Sequence, residues 1–281
     1  MPLRARIWGC RGSLPTPGPT TVRYGGNTSC VEIETTDGSH LVLDAGTGIK
    51  PLGASLSAGA PIHLLLTHLH LDHVEGLRFF RPLWDPRTEL HIWGPPSPVH
   101  SLRDRIARAV SPPLFPLELA DSPAHMTFHD VPHEPWDLGG IRISAQPVSH
   151  PGPTLGYRVE LDGRTLAYIP DHEPVLGVEL DSLEPEWISG HALAESADVL
   201  LHDGQFTEDE YPTRVGWGHS SVSHAVTFAL RAGVGRLVLF HHDPDRTDDG
   251  VEELRGRAKA LWGEADGQPP EAASEGMTIE V

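Results

Sequence analysis

The sequence predicts one α/β domain over residues 1–281, built from sheets with helices packed outside them. Three observations predict it. Apolar runs of strand length recur along the chain, helical apolar spacing follows several of them, and no linker, repeat or low-complexity tract divides them. A chain of 281 residues is long enough to bury a substantial core.

Residues 3–8, 29–35 and 40–44 read as strands, and "LVLDAGTG" closes the third on a glycine turn. "IHLLLT" (62–67) is a buried-strand run, with a short helix expected from about His73. "ELHIWG" (89–94) is the next strand, and "SPVHSLRDRIARAV" has helical spacing that stops at Ser111-Pro112-Pro113. The proline-rich stretch 111–123 is a candidate lid. Strand patterns return at 141–149, 154–161 and 165–170, then in "ADVLLHDG" (197–204). From Ser220, read as a cap, Val222, Ala225, Val226, Ala229 and Leu230 recur at helical spacing. "RLVLFHH" (236–242) is a strand, Val251, Leu254, Ala258, Leu261 and Trp262 mark the last long helix, and "MTIEV" closes as a strand.

Hydrophobic residues make up 38% and charged residues 21%, the composition of an ordered globular protein. No apolar run approaches the roughly 20 residues of a membrane span. "MPLRARIWGC" lacks the apolar stretch of a secretory signal, so the expected location is cytoplasmic and no membrane partner is expected. Cys10 and Cys30 are too few for a disulfide framework. The net charge is −18, and the only lysines are Lys50 and Lys259. Long nucleic acids bind by neutralising many phosphates, so this balance argues against a dedicated DNA or RNA binder. It leaves room for one or two phosphates held in a cleft.

Eighteen histidines are unusual, and their positions matter more than their number. "LLLTHLHLDHVEG" (64–76) places His68, His70, Asp72 and His73 directly after a run of leucines. On an extended segment His68 and His70 project to one face. Asp72 and His73 follow as the chain turns into a helix, toward a second point nearby. Imidazole and carboxylate donors suit zinc, and also iron or manganese. The HExxH pattern of a helical metalloprotease site is absent. Further metal-capable residues end later strands: His150 in "AQPVSHPG", Asp171 in "TLAYIPDHE", and His241 with His242 in "LVLFHHDPD". Only one of the last two can point inward. His202-Asp203 also ends a strand but fits no ligand pattern, and reads as structural or supporting.

HxHxDH followed by single His, Asp and His at later strand ends resembles the metallo-β-lactamase fold superfamily, from "LDAGTG" through "LFHHD". "GCRGSLPTPGP…YGGNTSCVEIE" and "GHSS" resemble its phosphodiesterase branch, which holds tRNA 3′-processing endonucleases and cyclic-nucleotide or cyclic-phosphate phosphodiesterases. The resemblance implies a four-layer αβ/βα sandwich with the site at one edge of its two sheets. It implies two divalent ions, Zn2+ first and Mn2+ or Fe2+ as alternatives. His68, His70 and His150 would hold one, Asp72, His73 and His241 the other, and Asp171 would bridge them. The family pattern favours His241 over His242. Asp44 would orient a ligand histidine. His219 of "GHSS" would protonate the leaving oxygen or stabilise the phosphorane charge, and Asp72 or Asp171 would take the proton of a shared, metal-activated water.

The substrate so implied is a small phosphodiester, a cyclic nucleotide among the options; a lid built around "SPPLFP" (Pro112, Pro113, Leu114, Phe115) could stack a nucleobase beside the metals. A homodimer is compatible with the reading. Three rivals remain. A tRNA 3′-processing enzyme usually carries a protruding basic arm, which is missing here, and a carbon–phosphorus-pathway phosphodiesterase would need a cysteine cluster. A thioester or lactone hydrolase or a β-lactamase would use the same ligands on a carbonyl. A catalytically silent metal-binding module is the third.

Overall fold

In the computed structural model, which describes residues 2–281 apart from Ala58 and Glu179, the apolar runs pair into two seven-stranded sheets. The first half supplies β1 (Arg4–Gly9), β2 (Cys30–Glu34), β3 (His40–Leu43), β4 (Ile62–Leu65), β5 (Glu89–Gly94) and β6 (His125–Asp130). The second supplies β7 (Trp136–Leu138), β8 (Ile141–Pro147), β9 (Leu155–Leu161), β10 (Arg164–Ile169), β11 (Val199–Asp203), β12 (Arg236–Phe240), β13 (Gln268–Ala272) and β14 (Thr278–Glu280). The sheet orders are β14-β1-β2-β3-β4-β5-β6 and β13-β12-β11-β10-β9-β8-β7. β3 to β6 run parallel in one sheet and β10 to β13 in the other, so each sheet has one block of parallel strands.

Six helices flank the sheets among the described residues: α1 (Ile49–Ser55), α2 (Leu71–Val74), α3 (Leu102–Ala107), α4 (His191–Ala194), α5 (Val222–Arg231) and α6 (Asp248–Trp262). Three apolar clusters separate the layers. Ile7, Ile33, Leu65, Tyr157, Tyr168 and Phe240 fill the space between the sheets. Ile49, Leu52, Leu64, Leu77 and Ile106 seat the first helices, and Leu200, Val226, Phe228, Leu239 and Leu254 seat the last. The result is the αβ/βα sandwich implied by the resemblance. β11 is buried at every residue, as expected of a parallel strand covered on both faces.

Several details depart from the sequence reading. The helical pattern before Pro112 yields only α3, capped by Ser101, whose side chain accepts from the Asp104 N–H. Ser221, not Ser220, caps α5; the Ser220 hydroxyl instead donates to the His172 carbonyl at 2.6 Å. β13 was missed because "QPPEA" carries two prolines, tolerated here at a sheet edge. β6 was missed because its residues are only half-buried or exposed on an edge strand. Phe115 does not present its ring as a free platform: it packs against Phe79 and Trp84, both with centroids 5.8 Å away. Both cysteines are buried and free. No described helix is long and apolar enough to cross a membrane.

Candidate metal centre

The parallel blocks deliver their carboxyl ends to one edge of the sandwich, where open α/β sheets collect ligands. Asp44 follows β3, His68 follows β4, Asp171 follows β10, Asp203 ends β11 and His241 follows β12. His70 caps α2, whose first turn carries Asp72 and His73. His150 lies just past β8.

These side chains form two adjoining groups, His68–His70–His150 and Asp72–His73–Asp171–His241, with donor atoms mutually within 4.8 Å in each. In the first, His70 Nδ1 and His150 Nε2 face one another at 3.1 Å. In the second, Asp72 Oδ2 lies 3.1 Å from His241 Nε2 and 3.3 Å from His73 Nε2. Asp171 adjoins both. Its Oδ1 is 3.1 Å from His241, 3.8 Å from His150 and 4.0 Å from His68, and its Oδ2 is 3.0 Å from His73. Two donors sharing a tetrahedral ion at about 2.1 Å are separated by about 3.4 Å, in the middle of these spacings. His68 Nε2 is buried without a hydrogen-bond partner, and the buried His73 Nε2 and Asp171 Oδ2 face each other, which fits donors directed at a cation. The site residues therefore fit two divalent ions.

Surrounding groups fix which nitrogen three of the histidines offer. His73 Nδ1 donates to Asp44 Oδ2 at 2.9 Å, His150 Nδ1 to the Gly218 carbonyl at 2.8 Å, and His68 Nδ1 to Thr67 Oγ1 at 3.1 Å. Each Nε2 is thereby left for the centre. Asp44 also accepts from the Thr67 N–H at 2.8 Å and from the Tyr168 hydroxyl at 2.9 Å. Asp44 and His241 hold left-handed backbone angles, with φ of 61° and 59°. Such non-glycine strain gathers at functional sites. His242 points away, donating from Nε2 to the Ala273 carbonyl at 2.8 Å, so His241 is the one of the pair that faces the centre.

The electrostatics divide the two groups. Burial holds the His68 imidazole well below its ordinary value, helped by His73, and burial also lowers His70 and His150. Neutral imidazoles are the ligating form. In the second group burial opposes charge but loses. The carboxylates of Asp171, Asp72 and Asp44 raise His73 well above its ordinary value, and Asp171 and Asp72 push His241 up to about 10. Reciprocally, His241 and His73 hold Asp171 far below the carboxylate range despite its burial, and the same two hold down Asp72. Carboxylates that draw protons onto neighbouring imidazoles attract a divalent cation at the same point.

His219, 9% exposed, stands over this centre with its ring 5.1 Å from His150 and 4.9 Å from His241. Its Nδ1 donates to Asp203 Oδ2 at 2.7 Å, which leaves Nε2 available to a bound group. Asp203 is in turn held by the N–H groups of Gln205 at 3.0 Å and His172 at 3.2 Å. The sequence reading set Asp203 aside, although its place at the end of an apolar strand was the available signal. Glu173 was missed outright. Its buried carboxylate accepts from the N–H groups of Gly216 and Gly218 and from the Tyr211 hydroxyl, at 2.7–3.1 Å. The "GCRGS" stretch also gains a role: the Ser13 N–H donates to Asp72 Oδ2 at 2.7 Å, and Gly12 lies against the His241 ring.

A family model described as a beta-lactamase superfamily domain matches residues 40–242. Ribonuclease Z of Mycobacterium avium (strain 104) is 28% identical over 284 residues, covering 91% of each chain. The metallo-beta-lactamase fold protein YhfI from Bacillus subtilis is similar over 100% of both chains, with a TM-score of 0.72 and 20% identity. Zn(2+)-bound PqqB from Methylobacterium extorquens gives a TM-score of 0.71 at 20% identity, over 99% of this chain and 100% of its own.

Proposed function

The chain belongs to the beta-lactamase superfamily and is a metal-dependent hydrolase, and on that premise we propose that it is a phosphodiesterase acting on small anionic diesters. The observation that carries this reading is the Asp203–His219 pair beside the paired donor groups. A phosphodiester expels a poorly stabilised alkoxide and needs a positioned acid, as a lactone or β-lactam also would, whereas a thioester expels a thiolate that leaves without one. The "GCRGS" and "GHSS" stretches favour the phosphodiester over the lactone and β-lactam. His219, its Nδ1 proton held by Asp203, is placed to deliver a proton through Nε2 to the leaving oxygen.

His68, His70 and His150 would hold one ion and Asp72, His73 and His241 the other, with Asp171 between them. Zinc suits this donor set best, with manganese and iron as alternatives. Bound ions would supply Lewis acidity and a water acidic enough to ionise near neutral pH. Asp72, steadied by the Ser13 N–H, or Asp171 would accept the proton of the attacking water. The buried free thiols fit a reducing compartment, and we read the cytoplasm as the location.

The relation to ribonuclease Z supports a second reading, cleavage of RNA. The net charge of −18 and two lysines weigh against a long polyanion and leave the small diester ahead. Turnover of bis(p-nitrophenyl) phosphate, 2′,3′- and 3′,5′-cyclic nucleotides and a 3′-extended tRNA, each with Zn2+ or Mn2+, separates the two. Metal-dependent turnover of a small diester, abolished in His68→Ala, is expected. Faster cleavage of the RNA would replace this reading with the second, and no phosphodiester turnover at all would overturn both. On a cyclic nucleotide, which expels an alkoxide, His219→Ala should lower kcat by about 10²–10⁴ with metal content unchanged, and on bis(p-nitrophenyl) phosphate, whose phenolate leaves unaided, by much less.

A further inference from the structure

A cavity of about 410 Å³ opens directly off His68 and His70. This is within the size range of small-molecule pockets. Its walls are apolar: Leu69, Leu71 and Val74 from the turn that carries the ligands, Ile106 and Ala109 from the α3 region, and Leu114 from the proline-rich segment. Although the chain carries 39 acidic residues, no carboxylate lines the cavity, and its two full charges are Arg105 and Arg108. Arg105 is occupied in part, donating to the Pro95 carbonyl at 2.6 Å. Arg108 is exposed and has no carboxylate partner among the described residues. An apolar chamber with a free guanidinium, in a strongly acidic protein, is complementary to an anion that carries an apolar group.

The position of His219 determines which part of the substrate enters. His219 packs beside His150 and His241 and does not line the cavity, so the leaving oxygen and the cavity lie toward different residues of the centre. We propose that this cavity binds the non-leaving arm of the diester and selects a flat apolar group there, an aryl ring or a nucleobase, with Arg108 drawing in the anion. The proposal rests on the phosphodiesterase reading for its choice of ligand. Leu114 is the selecting wall best suited to a test, because at 64% exposure it can be changed without disturbing the core.

The test is calorimetric binding of phenylphosphonate and methylphosphonate to the zinc-loaded full-length protein, which needs no turnover. Phenylphosphonate should bind about tenfold more tightly or better, a modest return for burying a ring. Leu114→Gln should narrow that gap, and Arg108→Gln should weaken both ligands. Equal affinities in the wild type, or a Leu114→Gln loss shared equally by the two ligands, would overturn the proposal. Kinetics on bis(p-nitrophenyl) phosphate and methyl p-nitrophenyl phosphate, which share a leaving group, should place the preference mainly in KM. A phenyl preference retained without turnover of any diester would sink the phosphodiesterase reading and leave the selectivity of the cavity standing.

Discussion

Asp44 illustrates how much a residue outside the ligand set can control. It is completely buried, holds a left-handed backbone angle and faces donors from Thr67, His73 and Tyr168. Asp44→Asn would turn an N–H2 group toward at least one of those donors and release the His73 ring. Metal affinity should then fall about 10–100-fold, the usual effect of losing such a support, in competition against a chromophoric chelator. Gly12 acts by its lack of a side chain. A Cβ there would lie 2.2 Å from His241 Nδ1, and His241, fully buried, has nowhere to retreat. Gly12→Ala should lower the bound metal from two ions per chain toward one, with the His68–His70–His150 group retained. A full complement of metal in that variant would show that the neighbouring backbone yields instead.

At the scale of elements, the loop from Tyr211 to His219 links His150 to His219. Glu173, two residues beyond Asp171, grips this loop through Gly216 and Gly218, and the Gly218 carbonyl accepts from His150 Nδ1. The loop also needs Gly218 itself, which has φ of 86° and no room for a Cβ beside Pro151 and His150. Glu173→Gln should therefore loosen both His150 and His219. The expected signature is a fall in kcat together with weaker binding of one ion, each about tenfold or more. A kcat loss with both ions bound normally would confine the role of Glu173 to His219. The sequence disclosed the elements that carry the donor groups and one support, Asp44, but not the supports Glu173 and Asp203. HxHxDH is legible because its donors are contiguous, and His150, Asp171 and His241 because each interrupts an apolar strand. Glu173 and Asp203 act on partners 45 and 16 residues away, so no local spacing marks them. The same limit hid β6, an edge strand without a clean apolar alternation, and left open which residue of the segment Pro112–Phe115 borders the cavity, which is Leu114.

For the whole molecule, the two parallel blocks meet at a centre dense in buried imidazoles, and this determines the response to acid. His202 is fully buried in β11; its Nδ1 donates to the Asp203 carbonyl at 2.7 Å and its Nε2 accepts from His172 Nδ1 at 2.9 Å. With both nitrogens engaged in the neutral form, burial lowers it to about 4, against about 6.5 for an imidazole in the unfolded chain. Between those values the unfolded chain binds the extra proton, so stability is complete above about pH 6.5 and is lost as the pH falls toward 4. The contribution of this one residue is on the order of 3 kcal/mol, a large share of the 5–15 kcal/mol typical of folded proteins. Asp72 and Asp171 do not produce this loss, because their imidazole partners keep them ionised far below the window. His73 and His241, both raised by the carboxylates beside them, stay protonated throughout it, and His241 loses its stabilising pairs only as the pH climbs toward 10. In the presence of a chelator, urea midpoints should therefore fall steadily from pH 7 to pH 4.5. His202→Gln, which keeps a hydrogen-bonding side chain that cannot titrate, should show a shallower decline, and parallel curves for the two proteins would remove His202 as a source of the acid sensitivity.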